Sequence, residues 1–378
     1  MAKRTNGREF LQLAEPYVAA KHGVGGYFIS EKLDGTRCFW DGGLSRGVPT
    51  DEVPWASIID PKTGQKKAKI KPVATGLWSR YGNPIIAPDE FLNQLPCCLL
   101  DGELFAGRGN FQLCRSICGG DTPDPRFMAK ITYAVYSSPP LSSVFATGDI
   151  KNSNFHLAMD FLVCEQWVRQ RLPAFGASRR RRGDFIYLPS GVAFLDEIRF
   201  LHESLDNLDP DSKCYLHRQT KLSDDSVEAA RQVEETLQKV LDLGGEGVVM
   251  RNPQETWIPK RHKGVLKYKP YKDAEAVITG FTSGRKTDKG SKHLGRIGAL
   301  VTCFNNQRLE LSGMKDFERE FETDAMRVFA LDHPGVDMPS GFQGRSFKIG
   351  RMVTFKFREL SDGGVPKDAR YWRRRDVE

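Results

Sequence analysis

The sequence predicts an α+β protein of two domains: antiparallel sheets flanked by helices over residues 1–272, then a small all-β barrel over 273–378. Three observations carry this. Short strand–turn–strand units recur through the first 270 residues. One strongly amphipathic helix, 226–243, lies among them. After Pro270 the texture changes to short alternating strands separated by turn residues, as small barrels require. A length of 378 residues suits two such units.

The elements follow in order. Phe10, Leu11, Leu13, Ala14, Tyr17 and Val18 fall at helical spacing, which predicts a short helix over 9–22. Residues 26–40 read as strand, turn, strand about Asp34-Gly35. Residues 41–76 hold Gly, Pro and a lysine series (Lys62, Lys66, Lys67, Lys69, Lys71) and read as loop. Short strands are expected at Ile85-Ile86, Cys98 to Leu100 and Ile131 to Val135, and an amphipathic helix at 157–171. In the helix 226–243, Asp225 with Glu228 makes a capping pair. Val227, Ala230, Val233, Leu237, Val240 and Leu241 form its apolar face, and Gly244-Gly245 ends it before the strand Val248 to Met250. Beyond 270, strands are expected at Ala276 to Ile278, Gly298 to Phe304, Leu309 to Leu311 and Met352 to Phe357.

Composition excludes more than it selects. Apolar residues make up 39% and charged ones 28%, which allows packed cores and argues against wholesale disorder. The uncharged run Ile131 to Gly148 holds Ser, Pro and Thr and cannot fill a bilayer as a helix. The polar N-terminus has no apolar segment behind it, so no secretory signal is expected. The eight cysteines form no C-x-x-C pair, which speaks against zinc and for reduced thiols in a cytoplasmic compartment. Neither a P-loop nor a G-x-G-x-x-G is present, and His202-Glu203 lacks the second histidine of a zincin. A nucleotide would have to be held by other means.

Those means are lysines and carboxylates at turns. In Glu31-Lys32-Leu33-Asp34-Gly35-Thr36-Arg37 the lysine precedes a tight turn between two apolar strands. A lysine is a nucleophile only when desolvation or nearby cations free its lone pair; alone, Lys32 reads more simply as a solvated strand-end residue. It is not alone. Asp101-Gly102-Glu103 follows Leu99-Leu100, Glu246-Gly247 precedes Val248, and Lys267 and Lys269 stand at i and i+2, on one side of a strand. An amine, carboxylates fit for a hard divalent cation and paired lysines fit for phosphate oxygens make a nucleotidyl-transfer site.

These elements, in this order, resemble the ATP-dependent DNA ligases of the covalent nucleotidyltransferase superfamily. KLDGTR is similar to the nucleophile motif, LWSRYGNPI to the S-R-x-G motif, LLDGELF to the third, ITYAVY to the aromatic strand after it, and GGEGVVMR and VLKYKP to the two that close the pocket. The compact length resembles the phage-type enzymes. The resemblance implies an adenylation domain over 1–272, an OB-fold over 273–378, ATP and Mg²⁺ (or Mn²⁺) as cofactors, and a monomer that seals nicked duplex DNA without a membrane. It implies that Lys32 becomes lysyl-AMP, assisted by Lys267 and Lys269, which hold the α-phosphate. Glu31, Arg37, Arg80, Glu103 and Tyr133 would bind the nucleotide, Arg37 or Arg80 reaching the nick 5′-phosphate and Tyr133 stacking on adenine. Glu103 and Glu246 would hold the metal, and Asp34 would lie near the DNA 3′ end. Tyr133 also reads as plain core, and Ser45-Arg46-Gly47 competes with Ser79-Arg80 for the second motif, whose flanks favour Arg80. At the C-terminus Arg374 and Asp376 fit the last motif and Arg374 would bind the nucleotide, but Val377 stands where that motif has lysine; a solvated basic tail is the other reading. RNA ligases and capping guanylyltransferases share the lysine chemistry, and a binding protein with a dead pocket is a third reading.

The net charge of +8 divides evenly, +4 in residues 1–270 and +4 in 271–378. The segment 193–246, with 13 acids against 6 bases, masks basic segments elsewhere. Among those, Lys62 to Lys71, Arg179, Arg180, Arg181 and Arg182, and Lys260 to Lys272 suit sequence-blind phosphate contacts.

Overall fold

A computed structural model describes residues 11–58, 65, 67, 69–140, 167, 170, 185–188, 191–206, 208–286, 292–361 and 363–375. The expected helix 157–171 falls almost wholly outside them, as do Arg179 to Arg182, Lys62, Lys66, Asp376 and Val377. The chain divides into two compact units, Met1–Tyr268 and Lys269–Glu378. Among the described residues no helix is long and apolar enough to cross a membrane.

The first unit carries strands β1 (Leu13–Pro16), β2 (Phe28–Glu31), β3 (Thr36–Asp41), β4 (Leu77–Ser79), β5 (Leu99–Phe105), β6 (Thr132–Ser137), β7 (Cys214–Leu216), β8 (Thr220–Lys221), β9 (Val248–Arg251) and β10 (Arg261–Tyr268). Among the described residues its helices are α1 (Asp89–Leu92), α2 (Phe111–Gly119), α3 (Phe127–Lys130), α4 (Phe194–Leu205) and α5 (Ser226–Asp242). The strands form two five-stranded sheets, ordered β1-β10-β9-β2-β8 and β4-β3-β5-β6-β7. Both are mixed rather than purely antiparallel as expected, because β1 runs parallel to β10 and β7 parallel to β6.

The helix expected over 9–22 is replaced, in its described part, by β1. Pro16 has no N–H and would clash inside a helix, whereas a sheet edge tolerates it, and β1 is an edge strand. The apolar residues that flank it serve two cores, Leu11 in one and Tyr17 in another. Ile85 and Ile86 form no strand; Ile85 packs in the core from an irregular segment. Helix α5 matches its expected span. The Asp225 carboxylate accepts from the N–H groups of Val227 and Glu228 at 3.0 and 2.8 Å, and Gly244 (φ 76°) turns the chain out of the helix. Its inward face is Ala229, Val233, Leu237 and Val240, which pack on Ile29, Met250 and Leu266. Val227, assigned to that face from its spacing, lies outward at 81% exposure. The sheet containing β5 buries both faces: Leu100, Leu104, Tyr133 and Val135 against α2 and α4, and Phe39, Trp78 and Leu99 against Trp55 and Trp257. Each such side chain contributes about 1.5–3 kcal/mol.

The second unit is one five-stranded sheet, β13-β12-β11-β14-β15, with β11 (Lys272–Ser283), β12 (Ile297–Phe304), β13 (Gln307–Leu311), β14 (Met352–Phe357) and β15 (Arg370–Arg374). Helix α6 (Asp324–Asp332) lies between β13 and β14 in the chain. The twelve-residue β11 pairs with both β12 and β14, and its register shifts at Ile278/Gly280, where a glycine lets the strand bend. The edge strands approach each other: an isolated parallel bridge joins Ser312 to Arg370, with Tyr371 N–H donating to Ser312 O at 2.8 Å. No ladder closes the sheet into a barrel among the described residues. Phe281, Leu300, Leu311, Phe347 and Phe355 form its buried core.

Candidate active site

Lys32 follows β2 directly, and its backbone N–H donates to Gly247 O at 2.8 Å. Glu31 opposes Val248 in the β2–β9 ladder, so the turn bearing Glu246 is fixed beside Lys32. The Lys32 amine makes an ion pair with the Glu246 carboxylate and donates to Leu33 O at 3.3 Å. The lysine side chain is 26% exposed and the glutamate 9%, so the pair lies at a mouth rather than in bulk water. Ser30, Val249 and Lys267 form one row across three neighbouring strands. Rows share a face and successive residues alternate, so Lys267 lies on the face that Lys32 continues. Lys269 stands beyond the end of β10, at the start of the second unit, so the pair does not sit together on one strand as expected.

The second sheet supplies the acidic and aromatic groups. Asp101-Gly102-Glu103 lies inside β5, not at a strand-to-turn junction. A Cβ on Gly102 would sit 2.4 Å from Ala134 O, so the strands approach only because this residue is glycine. Arg37 is the cross-strand partner of Glu103. Its guanidinium forks onto the buried Asp101 carboxylate, Nε and Nη2 each at 2.6 Å, and Nη2 also donates to Gln12 O at 3.1 Å. Trp257 Nε1 completes the Asp101 shell at 3.3 Å. Burial opposes the Arg37 charge, but Asp101 more than restores it and holds the guanidinium firmly protonated. Burial raises the Glu103 carboxyl to about 7, against the opposing pull of Lys32 and Arg37 and, more weakly, Arg80. Arg80 is thus close enough to act on Glu103. It is exposed, just past β4, lies over the Tyr81 ring at 4.8 Å and donates to its hydroxyl at 2.8 Å. The competing Arg46 is instead tied to Asp89 and Asn93 of the α1 region.

Tyr133 is a core residue, not a base-stacking platform: it is fully buried and its hydroxyl donates within reach of Cys38 O and Leu100 O, each at 3.0 Å. The aromatic ring on the site's side of β6 is Tyr136, half-buried, with its hydroxyl 3.5 Å from Glu103 Oε2 and the guanidinium groups of Arg37 and Arg251 at 5.2 and 5.0 Å from its centroid. Strand parity held the signal: Ile131, Tyr133 and Val135 make one apolar stripe, and Tyr136 falls on the other side. Asp34 is half-buried in the turn after Lys32. Glu31 forks with Arg108 rather than opening to a nucleotide. Arg374 is exposed on β15 of the second unit, 3.4 Å from Ser346 O.

Behind this surface lie two buried ionisable residues that sequence reasoning missed, Arg251 and Glu197. Arg251 is buried between Tyr136 and Phe194, the latter 5.1 Å from its guanidinium. Glu197 on α4 accepts from Ser137 Oγ and from Ser138 N–H, the latter at 2.6 Å. Burial raises the Glu197 carboxyl from 4.5 to about 7, while Arg251 and these donors pull it down. A raised folded pKa means the native state holds this proton where the unfolded chain has lost it. Stability from Glu197 is therefore complete below about 4.5 and is lost as pH rises toward about 7. Urea unfolding should show free energy falling across this window, by at most about 1.4 kcal/mol per pH unit from this group. Glu197→Gln should reduce the slope, with Glu103 keeping its own share of it; an unchanged slope would assign it elsewhere.

No protein-family model matches the chain. Among curated proteins it is similar to a DNA ligase of Haemophilus influenzae, 22% identical over 351 residues that cover 93% of this chain and 87% of the relative. Among solved structures its fold is similar to a Lig E DNA ligase, with a TM-score of 0.58, 23% identity, and 97% of this chain and 98% of the other covered. It is also similar to the structure named Pmar-Lig_Pre, with a TM-score of 0.52, 17% identity, and 98% and 69% covered.

Proposed function

We propose that the protein is an ATP-dependent DNA ligase of the compact kind, which seals 3′-hydroxyl/5′-phosphate nicks in duplex DNA. The observation that carries this is the placement of Lys32: a lysine fixed at a strand end, paired with Glu246, on the face that also bears Lys267. The curated similarity to a DNA ligase over 93% of the chain supports the same reading.

In this reading the Lys32 amine attacks the α-phosphorus of ATP. The N–P bond forms as the bond to pyrophosphate breaks, and the amine's proton passes to a neighbouring base, for which Glu246 is within hydrogen-bonding reach. Lys267 neutralises charge on the phosphate oxygens, and Lys269 is the second lysine assigned to that role. The nick 5′-phosphate then takes AMP from Lys32, and the 3′-hydroxyl displaces AMP. Each step is an in-line displacement, so the protein works by positioning and charge neutralisation. Tyr136, not Tyr133, is the aromatic group for the base, and Arg80 serves the nucleotide or the 5′-phosphate. Glu103 and Glu246 suit a divalent cation. A carboxyl raised by burial to about 7 gains most from a nearby positive charge, and a bound Mg²⁺ would supply further neutralisation of phosphate charge.

The second unit is read as an OB-fold. Its order β13-β12-β11-β14-β15, with the parallel bridge between the edge strands, supports a five-stranded barrel suited to nucleic acid. Arg374 of β15 serves the nucleotide, and Asp34 lies toward the DNA 3′ end. The protein acts as a cytoplasmic monomer, and Arg179 to Arg182 contribute phosphate contacts.

One assay tests the reading. The protein is incubated with α-labelled ATP or GTP and Mg²⁺, then offered nicked DNA or nicked RNA. Covalent label from ATP and sealing of nicked DNA are expected. Label from GTP would indicate capping chemistry, sealing of RNA alone an RNA ligase, and no label a binding protein.

A further inference from the structure

The residue before the nucleophile is held by an arginine that none of the recognised motifs contains. Arg108 lies in the glycine-flanked loop after β5, where Gly107 and Gly109 have φ of 90° and 72°. Its Nε and Nη2 donate to the two carboxylate oxygens of Glu31, each at 2.7 Å. This is the two-pronged geometry that fixes direction as well as distance. Glu31 is the last residue of β2, so its Cα is one peptide from that of Lys32.

The fork does more than pair two charges. A Cβ on Gly245 would lie 2.8 Å from Glu31 Oε1, so the carboxylate packs directly on the turn that presents Glu246. The carbonyl of Glu31 is itself engaged, by His217 Nε2 at 2.8 Å. At the far end of the nucleophile's turn, Gly35 abuts the same strand that leads into the Arg108 loop: a Cβ there would sit 2.2 Å from Leu104 O. The segment Glu31–Gly35 is thus pinned to the β5 region at both ends, by backbone contact at Gly35 and by the Arg108 fork at Glu31.

An exposed ion pair stabilises a fold by little, and this one is 37% exposed on the arginine and 18% on the glutamate. What the fork supplies is direction. Without it, the strand end carrying Lys32 and the turn carrying Glu246 lose a shared support, and small misplacement of a nucleophile is costly to rate.

We propose that Arg108 is a positioning residue for adenylation: through its fork to Glu31 it fixes Lys32 and Glu246 in register with each other, without touching the nucleotide. This rests on the nucleotidyl-transfer reading of the site above. The test measures covalent labelling from α-labelled ATP across a range of ATP concentrations for the wild type, Arg108→Ala, Arg108→Lys, Glu31→Gln and the double variant Arg108→Ala/Glu31→Gln, with thermal midpoints in parallel. Arg108→Ala should lower the maximal labelling rate by about tenfold, leaving the half-saturating ATP concentration within about twofold. Arg108→Lys should not rescue, since an ammonium keeps the charge but loses the fork. The double variant should be no slower than the slower single one, because both changes break one unit. Thermal midpoints should stay close together. The inference is overturned by labelling at the wild-type rate, by an effect confined to half-saturation, which would make Arg108 a nucleotide contact, by rescue with lysine, or by additive losses. Failure of the wild type to take label would instead overturn the parent reading.

Discussion

Lys32→Ala leaves a folded protein that takes no label from α-labelled ATP and whose nick sealing falls by about 10⁴-fold or more. Alanine removes the attacking nitrogen, and no other amine can substitute from the same place, because the position is set by the strand and not by the side chain. The Lys32 N–H to Gly247 O bond and the Glu31–Val248 pairing are backbone features and persist in the variant. The fold should therefore survive, although Glu246 loses its ion-pair partner in a side chain only 9% exposed. A pre-adenylated DNA nick, which bypasses the first step, should still be sealed at a measurable rate. Loss of both activities together would mean that Lys32 supports the site rather than reacting in it. Gel labelling and end-joining assays on one preparation separate these outcomes.

Arg37→Ala should cost about 3–5 kcal/mol of folding free energy, the largest single effect expected on stability. Asp101 is completely buried and holds both oxygens toward Arg37. Removing the guanidinium strands a carboxylate whose remaining donor here is Trp257 Nε1 at 3.3 Å. Arg37→Lys should recover only part of the loss, since one ammonium cannot reproduce two parallel bonds and the contact with Gln12 O. Arg37→Ala/Asp101→Ala should be less destabilised than Arg37→Ala, because the orphaned charge leaves with its partner. Urea denaturation of the wild type, these three variants and Asp101→Ala measures this. A double variant as unstable as the sum of the two single ones would show that the pair does not act as a unit.

How much of this was legible in the sequence depends on the range of the interactions involved. The turns that carry Lys32 and Glu246 are written locally, in Asp34-Gly35 and Gly244-Gly245, and the structure forms both. Helix α5 was equally readable from its cap and stop. The segment around Leu13 was not. Its spacing suits a helix, but pairing with β10, 248 residues away at Leu13↔Arg261, decides the matter. Such pairing is tertiary and outweighs propensity. Tyr133 and Tyr136 are separated by parity, which could have been read; their burial could not. Arg251 and Glu31 lie in the motif segments, but Glu197, whose carboxyl feels Arg251, and Arg108, which forks onto Glu31, come from distant segments without a motif, and only the fold brings them together.

The row formed by Ser30, Val249 and Lys267 has a consequence for how this chain can change length. Side chains alternate along β9, so one residue inserted between Val248 and Arg251 would shift the pairing and turn half of the strand's contacts to the opposite face. Val249 would then leave the row that Ser30 and Lys267 share, with every residue proposed for catalysis still present in the chain. Insertions between β3 and β4 carry no such penalty, because among the described residues no row of paired strands crosses from there to Lys32. Natural variation in size should therefore gather in those connections, while β2, β9 and β10 keep an invariant count of residues, since their length is the measure by which the site is set out.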